Sequence, residues 1–301
     1  MRVDEMATMF RDGLLAGKRI LVTGGGTGLG KEMAEDYLRL GAEVYICGRR
    51  KNVLDETAKA LMGKHGGSVK THSVDIRVAQ AVDDMVGEIW ADGGPLTGLV
   101  NNAAGNFISP TKDLSPRGFD AIANIVFHGS FYVTHAIGRR WIEDKVKGSV
   151  ISILTTWIWN GGPFTVPSAM SKAGINIMTK SLAAEWGPYG IRLNAIAPGP
   201  FPTEGAWARL SPGQSTDGEG SREGIPMGRV GEMDELKNLA TFLMADGCEY
   251  LTGQTIAIDG AGYSASGGNF SRLSKLSDDD WAKMREMIRS ANDKDKAQRS
   301  V

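Results

Sequence analysis

Arg19-Ile20-Leu21-Val22-Thr23-Gly24-Gly25-Gly26-Thr27-Gly28-Leu29-Gly30 is the stretch on which the reading of the fold turns. Its opening residues form a short apolar run without alternation, the pattern of a strand covered on both faces. Glycines follow at once, and then a helix-period segment from Lys31 to Leu40. Strand, glycine-rich turn and helix in that order make an anion site. Glycine permits the tight turn and the close approach of backbone to a pyrophosphate, and the helix N-terminus offers amides to it. Gly24, Gly28 and Gly30 are spaced G-x-x-x-G-x-G rather than G-x-G-x-x-G, but the physics is shared. Thr27 and Leu29 complete the turn.

Outward from this stretch, apolar runs and helical segments alternate. Glu43 to Cys47, Ser68 to Val74, Leu96 to Val100, Ser149 to Leu154, Ile191 to Ile196 and Thr255 to Ile258 read as strands. Helices are expected over Val53 to Met62, Ala79 to Ala91, Gly118 to Glu143, Ser168 to Trp186 and Met233 to Met244. Such alternation predicts an α/β fold: a doubly wound parallel sheet of Rossmann type, with ligands at the strand C-terminal ends. An N-terminal extension (1–16) precedes one dinucleotide-binding and catalytic domain (17–262). Within it the Gly-, Pro- and Ser-rich stretch 198–228 is expected to be a substrate loop, since long loops in compact domains are usually functional. A helical tail (263–301) follows. Asp278, Asp279 and Asp280 suit the start of its helix, and Trp281, Met284 and Ile288 make a stripe expected to pack on the body or on a neighbouring subunit.

The end of the second strand, Cys47-Gly48-Arg49-Arg50, carries no carboxylate where selectivity for NAD places one to hold the ribose hydroxyls. Two guanidiniums stand there instead and suit a 2′-phosphate, so NADP(H) is the expected cofactor. Composition excludes other classes. The 301 residues carry a net charge of −1, which gives no reason to expect nucleic acid or an anionic membrane as partner. No run approaches the length of a membrane span. Cys47 and Cys248 lack the spacing of a metal site, Cys47 sits in an apolar run, and the four histidines form no ligand cluster. The N-terminus, with Asp4, Glu5 and Asp12, has the features of neither a signal nor a transit peptide, so the cytoplasm is the expected compartment.

Four motifs in order carry a resemblance: Thr23 to Gly30, Asp75-Ile76-Arg77, Asn101-Asn102-Ala103-Ala104-Gly105 and Pro198-Gly199-Pro200. From about Leu15 to Gly262 the chain resembles the short-chain dehydrogenase/reductase family. The resemblance implies that Asp75 and Ile76 flank an adenine. It also implies that Asn102, Ala103 and Ala104 support the ribose side, and that Thr203, beyond Pro198 and Gly199, holds the nicotinamide amide. The family's Tyr-x-x-x-Lys pair is broken. Lys172 is present, Ser168 stands four residues before it, and Thr155 occupies the upstream serine position. A serine hydroxyl is a far poorer acid than a phenol, which argues against ordinary ketone/alcohol chemistry.

The departure is similar to the 2,4-dienoyl-CoA reductases, as are Asn101 to Pro110, Val166 to Ala173, Ser181 to Trp186 and, in the tail, Asn269-Phe270, Leu273, Trp281 and Ile288-Arg289. That similarity implies hydride delivery to the far carbon of a conjugated acyl-CoA thioester, with charge running to the thioester oxygen as a dienolate. Asn106 matches a family donor to that oxygen. Lys172 would bind the nicotinamide ribose and add positive field, with Ser168 positioning it. A second family donor, a tyrosine soon after the fifth strand, is absent from Thr155-Thr156-Trp157-Ile158-Trp159-Asn160. Trp157 or Trp159 could donate an indole N–H, or both could wall an acyl pocket. The family also implies a homo-oligomer, a tetramer, and Ala169, Ala173 and Ile177 suit helix packing between subunits. Two alternatives stay open: a hydroxyacyl-CoA or other alcohol dehydrogenase with an atypical acid/base group, and a cofactor-binding protein that has lost catalysis.

Overall fold

A computed structural model describes residues 9–105, 108–203, 224–265 and 276–287. Seven strands, β1 (Arg19–Thr23), β2 (Glu43–Gly48), β3 (Val69–Ser73), β4 (Gly98–Asn101), β5 (Gly148–Ile153), β6 (Ile191–Pro198) and β7 (Thr255–Ile258), form one sheet. All are parallel, in the order β3-β2-β1-β4-β5-β6-β7. The chain therefore starts at the centre and winds outward twice. The order reverses between β1 and β4, and the crevice above that switch point is where such sheets take ligands.

The apolar runs explain this burial. Ile20 and Val22 face one layer, with Met33, Tyr37, Leu236 and Leu243 of α1 (Gly28–Arg39) and α8 (Met233–Met244). Leu21, Leu99 and Val150 face the other, with Val86 and Ile89 of α3 (Ala79–Ala91) and Trp141 of α5 (Ser130–Asp144). α2 (Lys51–His65) covers the β2 side, and α7 (Val166–Trp186) lies along β6. Arg192 is the one buried guanidinium in β6; it donates to the carbonyls of Leu243 and Ala245, and burial lowers its pKa.

The single helix expected over Gly118 to Glu143 is not uniform. α4 (Pro116–Ala123) passes through a π-helical stretch, Asn124–Gly129, before continuing as α5. Two close contacts account for the widened turn. A Cβ on Gly129 would lie 2.7 Å from Ile76, and one on Gly174 of α7 would lie 2.5 Å from the Phe127 ring. The extra residue lets the backbone settle on Ile76 while Phe127 fills the notch at Gly174.

The expected loop 198–228 falls largely on 204–223, outside the described residues, and Asn269, Phe270, Leu273, Ile288 and Arg289 of the tail also lie outside them. In the tail, residues 278–287 are helical, and Ser277 caps them through its hydroxyl, which accepts from the Asp280 amide at 3.2 Å. On this helix Trp281 is 36% exposed and Met284 is half-buried. No helix among the described residues is long and apolar enough to cross a membrane, and no group of His, Cys, Asp or Glu there could hold a metal. Cys47 is fully buried, which pushes its thiol up to about 12.

Candidate active site

The glycine-rich turn and the end of β4 are fastened by Thr23. Its hydroxyl accepts from the amides of Asn102 and Ala103, both at 3.0 Å, and donates to the Val100 carbonyl. Asn102 returns its side-chain amide to the carbonyls of Thr23 and Gly24. The glycines are then obligatory. Gly24 has φ +66, and a Cβ there would come 3.0 Å from Ala103 Cα. A Cβ on Gly30 would come 2.4 Å from the Asn102 amide and 2.6 Å from the Gly24 carbonyl. Gly28 has φ +56 and opens α1, with Leu29 following it onto the core edge. Thr27, the N-cap, is exposed and makes no side-chain cap bond, and no carboxylate sits in the first turn of α1. A positive helix end with uncommitted amides and no Cβ in the way fits a pyrophosphate. Thr23, which sequence reasoning left without a role, is the hub. Its signal was a hydroxyl at the end of an otherwise apolar strand.

Around this turn the other expected residues fall on the same rim. Arg49 and Arg50 are exposed at the end of β2, and Arg50 is the N-cap of α2. Asp75 is held by the Arg77 guanidinium, which keeps its carboxyl below the usual range, with a smaller contribution from the Arg49 charge. Ile76 turns its side chain inward against Gly129. Ala104 is exposed, Pro198 is buried at the end of β6, and the Gly199 amide donates to the Ile258 carbonyl. A Cβ on Gly28 would lie 3.8 Å from Thr203, so Thr203 closes over the turn.

The reaction end is built by β5 and α7. Lys172 reaches from the second turn of α7 and donates 2.8 Å to the Leu154 carbonyl. Burial alone lowers its pKa to about 8, without a contribution from any carboxylate. Thr155, next to that carbonyl, and Ser168 are both buried. The structure thus brings Lys172, Ser168 and Thr155 to one place, with a backbone carbonyl as the ammonium's anchor. Trp157 opens a short helix, α6 (Trp157–Asn160), and its ring lies against Gly162, whose Cβ would come 2.8 Å from it. Trp159 stacks on Tyr263 with centroids 4.6 Å apart, a contact that sequence reasoning did not find. Asn106 lies outside the described residues. His128 is exposed and bonded to Asn124. A cavity of about 240 Å³ adjoins the ends of β6 and β7, walled by Phe201, Ile225, Met227 and Arg229. Arg229 is held there by Glu235.

A sheet switch point, a Cβ-free turn at a helix N-terminus and a lysine beside two buried hydroxyls define a nicotinamide-dinucleotide oxidoreductase. Comparison places it further. The family model described as enoyl-(acyl carrier protein) reductase matches residues 24–264. The chain is 42% identical over 294 residues to a probable 2,4-dienoyl-CoA reductase 3, (3E)-enoyl-CoA-producing, of Caenorhabditis elegans, covering 96% of this chain and 94% of that one. It is 39% identical over 244 residues to a probable 2,4-dienoyl-CoA reductase, (2E)-enoyl-CoA-producing, of Bacillus subtilis, covering 81% and 95%. A crystal structure of a short chain dehydrogenase from Bacillus anthracis matches with TM-score 0.76 at 38% identity, covering 83% of this chain and 98% of that one. The chain belongs to the short-chain dehydrogenase/reductase family, and it resembles the 2,4-dienoyl-CoA reductases over most of its length.

Proposed function

We propose that the protein is an NADPH-dependent reductase of conjugated dienoyl- or enoyl-CoA thioesters. One observation carries this. The site keeps a desolvated ammonium at Lys172 and buried hydroxyls at Ser168 and Thr155, yet no tyrosine occurs between Tyr132 and Tyr189. Alcohol oxidation or ketone reduction by the family's apparatus uses a phenol four residues before the lysine as its acid/base group, and Ser168 stands there instead. Reduction of a conjugated thioester needs positive field and N–H donors at the oxygen where charge collects.

Residues of the first turn, Gly24, Thr27, Gly28, Leu29 and Gly30, would hold the pyrophosphate. Arg49 and Arg50 would hold a 2′-phosphate, Asp75 and the Ile76 backbone the adenine, and Asn102, Ala103 and Ala104 the ribose side. Pro198, Gly199 and Thr203 would orient the nicotinamide amide. The bound dinucleotide supplies a hydride. Lys172 would bind the nicotinamide ribose and stabilise the dienolate charge, with Ser168 positioning its ammonium and Thr155 beside them, and Trp157 and Asn106 would donate to the thioester oxygen. No side chain of α6 or the first turn of α7 is a strong acid, and the Lys172 proton is needed to keep the positive field on the oxygen, so water would supply the proton. The assembly we propose is a homotetramer, supported by exposed apolar residues on α5 and α7, Phe131, Met170 and Ile177; light scattering of the purified chain tests it.

The decisive experiment incubates the purified protein with NADPH and a panel of dienoyl-, enoyl- and ketoacyl-CoAs. Oxidation of NADPH is expected with the conjugated thioesters. Oxidation with ketoacyl compounds alone would point to an alcohol dehydrogenase, and tight NADPH binding without any turnover to a protein that has lost catalysis.

A further inference from the structure

Three described residues other than glycine hold a left-handed backbone: Lys145 (φ 56), Phe164 (φ 64) and Ala261 (φ 67). Lys145 is the C-cap of α5, where that conformation ends helices. Ala261 lies in a turn tied down by Asp259, whose carboxylate accepts from the Ala261 and Tyr263 amides. Phe164 has no such reason. A bulky L-residue is disfavoured there because its Cβ crowds the carbonyl oxygen, and such strain persists where surrounding structure and function hold it.

Burial does not offset the strain. Phe164 precedes Thr165, the N-cap of α7, and an apolar residue at that position ordinarily staples onto the helix four residues in. Here the residue at that position is Ala169, and Phe164 remains 58% exposed. The fold instead pins the turn from both sides. The Phe164 carbonyl accepts from the Ser109 amide at 2.9 Å, which joins it to the loop leaving β4. Two residues before it, Gly162 lies under the Trp157 ring. Phe164 therefore stands where the β4 and β5 loops meet above the strand ends. Two more large apolar residues on those loops are exposed, Ile108 at 45% and Trp159 at 40%.

Helix rise sets how far this rim is from the chemistry. Val166 and Lys172 are six positions apart, about 9 Å along α7, so the Phe164 backbone lies more than one helical turn before the lysine. A rim at that separation suits the part of an acyl chain beyond its conjugated carbons. We infer that Phe164 is a specificity-determining residue: its strained backbone holds the ring outward at the mouth of the site, where it grips the methylenes of a long acyl chain alongside Ile108 and Trp159. The inference rests on the thioester reading of the site.

Two variants separate strain from grip. Phe164→Ala keeps the backbone strain and removes the ring; Phe164→Gly removes both. The glycine variant should melt about 1–3 °C above the alanine variant, the reverse of the order at ordinary positions. Both should lose preference for dodecanoyl-CoA over hexanoyl-CoA, measured as dissociation constants of the saturated thioesters with NADPH present. The loss is about fourfold for each methylene uncovered, or about fifteenfold if two lie under the ring. The kcat/KM ratio for long and short dienoyl-CoAs should fall in parallel. An alanine variant that melts above the glycine variant overturns the strain. Equal weakening at both chain lengths, or a change of oligomeric mass in place of a chain-length effect, overturns the grip. Loss of chain-length discrimination in binding without turnover of any dienoyl-CoA would leave this inference standing and sink the proposed reaction. A wild-type protein that binds no acyl-CoA sinks both.

Discussion

Replacing Lys172 by methionine should make the protein more stable and nearly inactive. The ammonium is anchored by one backbone carbonyl, and burial alone lowers its pKa from the ordinary 10.5 to about 8. A depression of that size corresponds to about 3 kcal/mol, and partial exposure of the side chain reduces the expected gain to about 2 kcal/mol. Methionine is unbranched and of similar length, so it leaves no cavity comparable to that of alanine. The effect also has a pH signature. Between about 8 and 10.5 the native lysine is neutral while the unfolded one still holds its proton. The wild-type protein therefore gains stability as pH rises through this window. Urea unfolding of both proteins without cofactor should show Lys172→Met ahead by about 2 kcal/mol at pH 7, with the gap closing towards pH 10.5. Turnover should fall at least about 100-fold, the scale of losing a preorganised electrostatic group. A methionine variant that is less stable at pH 7, or a gap that ignores pH, would refute the claim that this lysine is held at a cost.

The remaining predictions concern the groups around it. Arg49→Ala with Arg50→Ala should lower the preference for NADPH over NADH by roughly 10- to 150-fold, the worth of one charge-assisted bond, read as the ratio of the two dissociation constants; an unchanged ratio removes the case for a 2′-phosphate site. Gly30→Ala must displace either the Asn102 amide or the Gly24 carbonyl, and should cost about 1–3 kcal/mol in unfolding together with dinucleotide affinity. Normal binding by that variant would show the turn to be looser than its contacts require. Trp157→Phe keeps the ring and loses the N–H. It should lower kcat about 100-fold or more with little change in KM, whereas a rise in KM alone would make the residue a pocket wall.

What the sequence disclosed was what depends on neighbours along the chain. Arg19 to Val22, Ala79 to Ala91 and Met233 to Met244 could be placed because apolar period and local propensity agree there. The π-helical turn could not, because it depends on Ile76 meeting Gly129 and Phe127 meeting Gly174, contacts that no local pattern encodes. Thr23 read only as the first residue of the glycine-rich motif; its role appears once β1 and β4 are side by side, which puts the Asn102 and Ala103 amides on its hydroxyl. The spacing of Ser168 and Lys172 pointed to one helical face, but the partner that fixes the ammonium is a carbonyl 18 residues away. The stack of Trp159 on Tyr263 joins segments that only the closed fold brings together.

The chemistry of the site and the cost of Lys172 have one physical origin. Leu154 and Ile175, each 2% exposed, belong to the apolar cluster beside the ammonium, with Ile158 packed against it. Removing water from that corner lowers the lysine's pKa, and the same loss of screening strengthens the field the ammonium casts on a negative oxygen. A carboxylate beside the lysine would have restored its pKa and cancelled that field. None contributes to its shift. A reaction that moves a proton between alcohol and carbonyl would gain little from an unneutralised cation without a phenol to act on. A reaction that gathers charge on a thioester oxygen gains from it directly. On the proposed reaction, one uncompensated charge would both lower the stability of the folded protein and stabilise the oxygen on which charge collects.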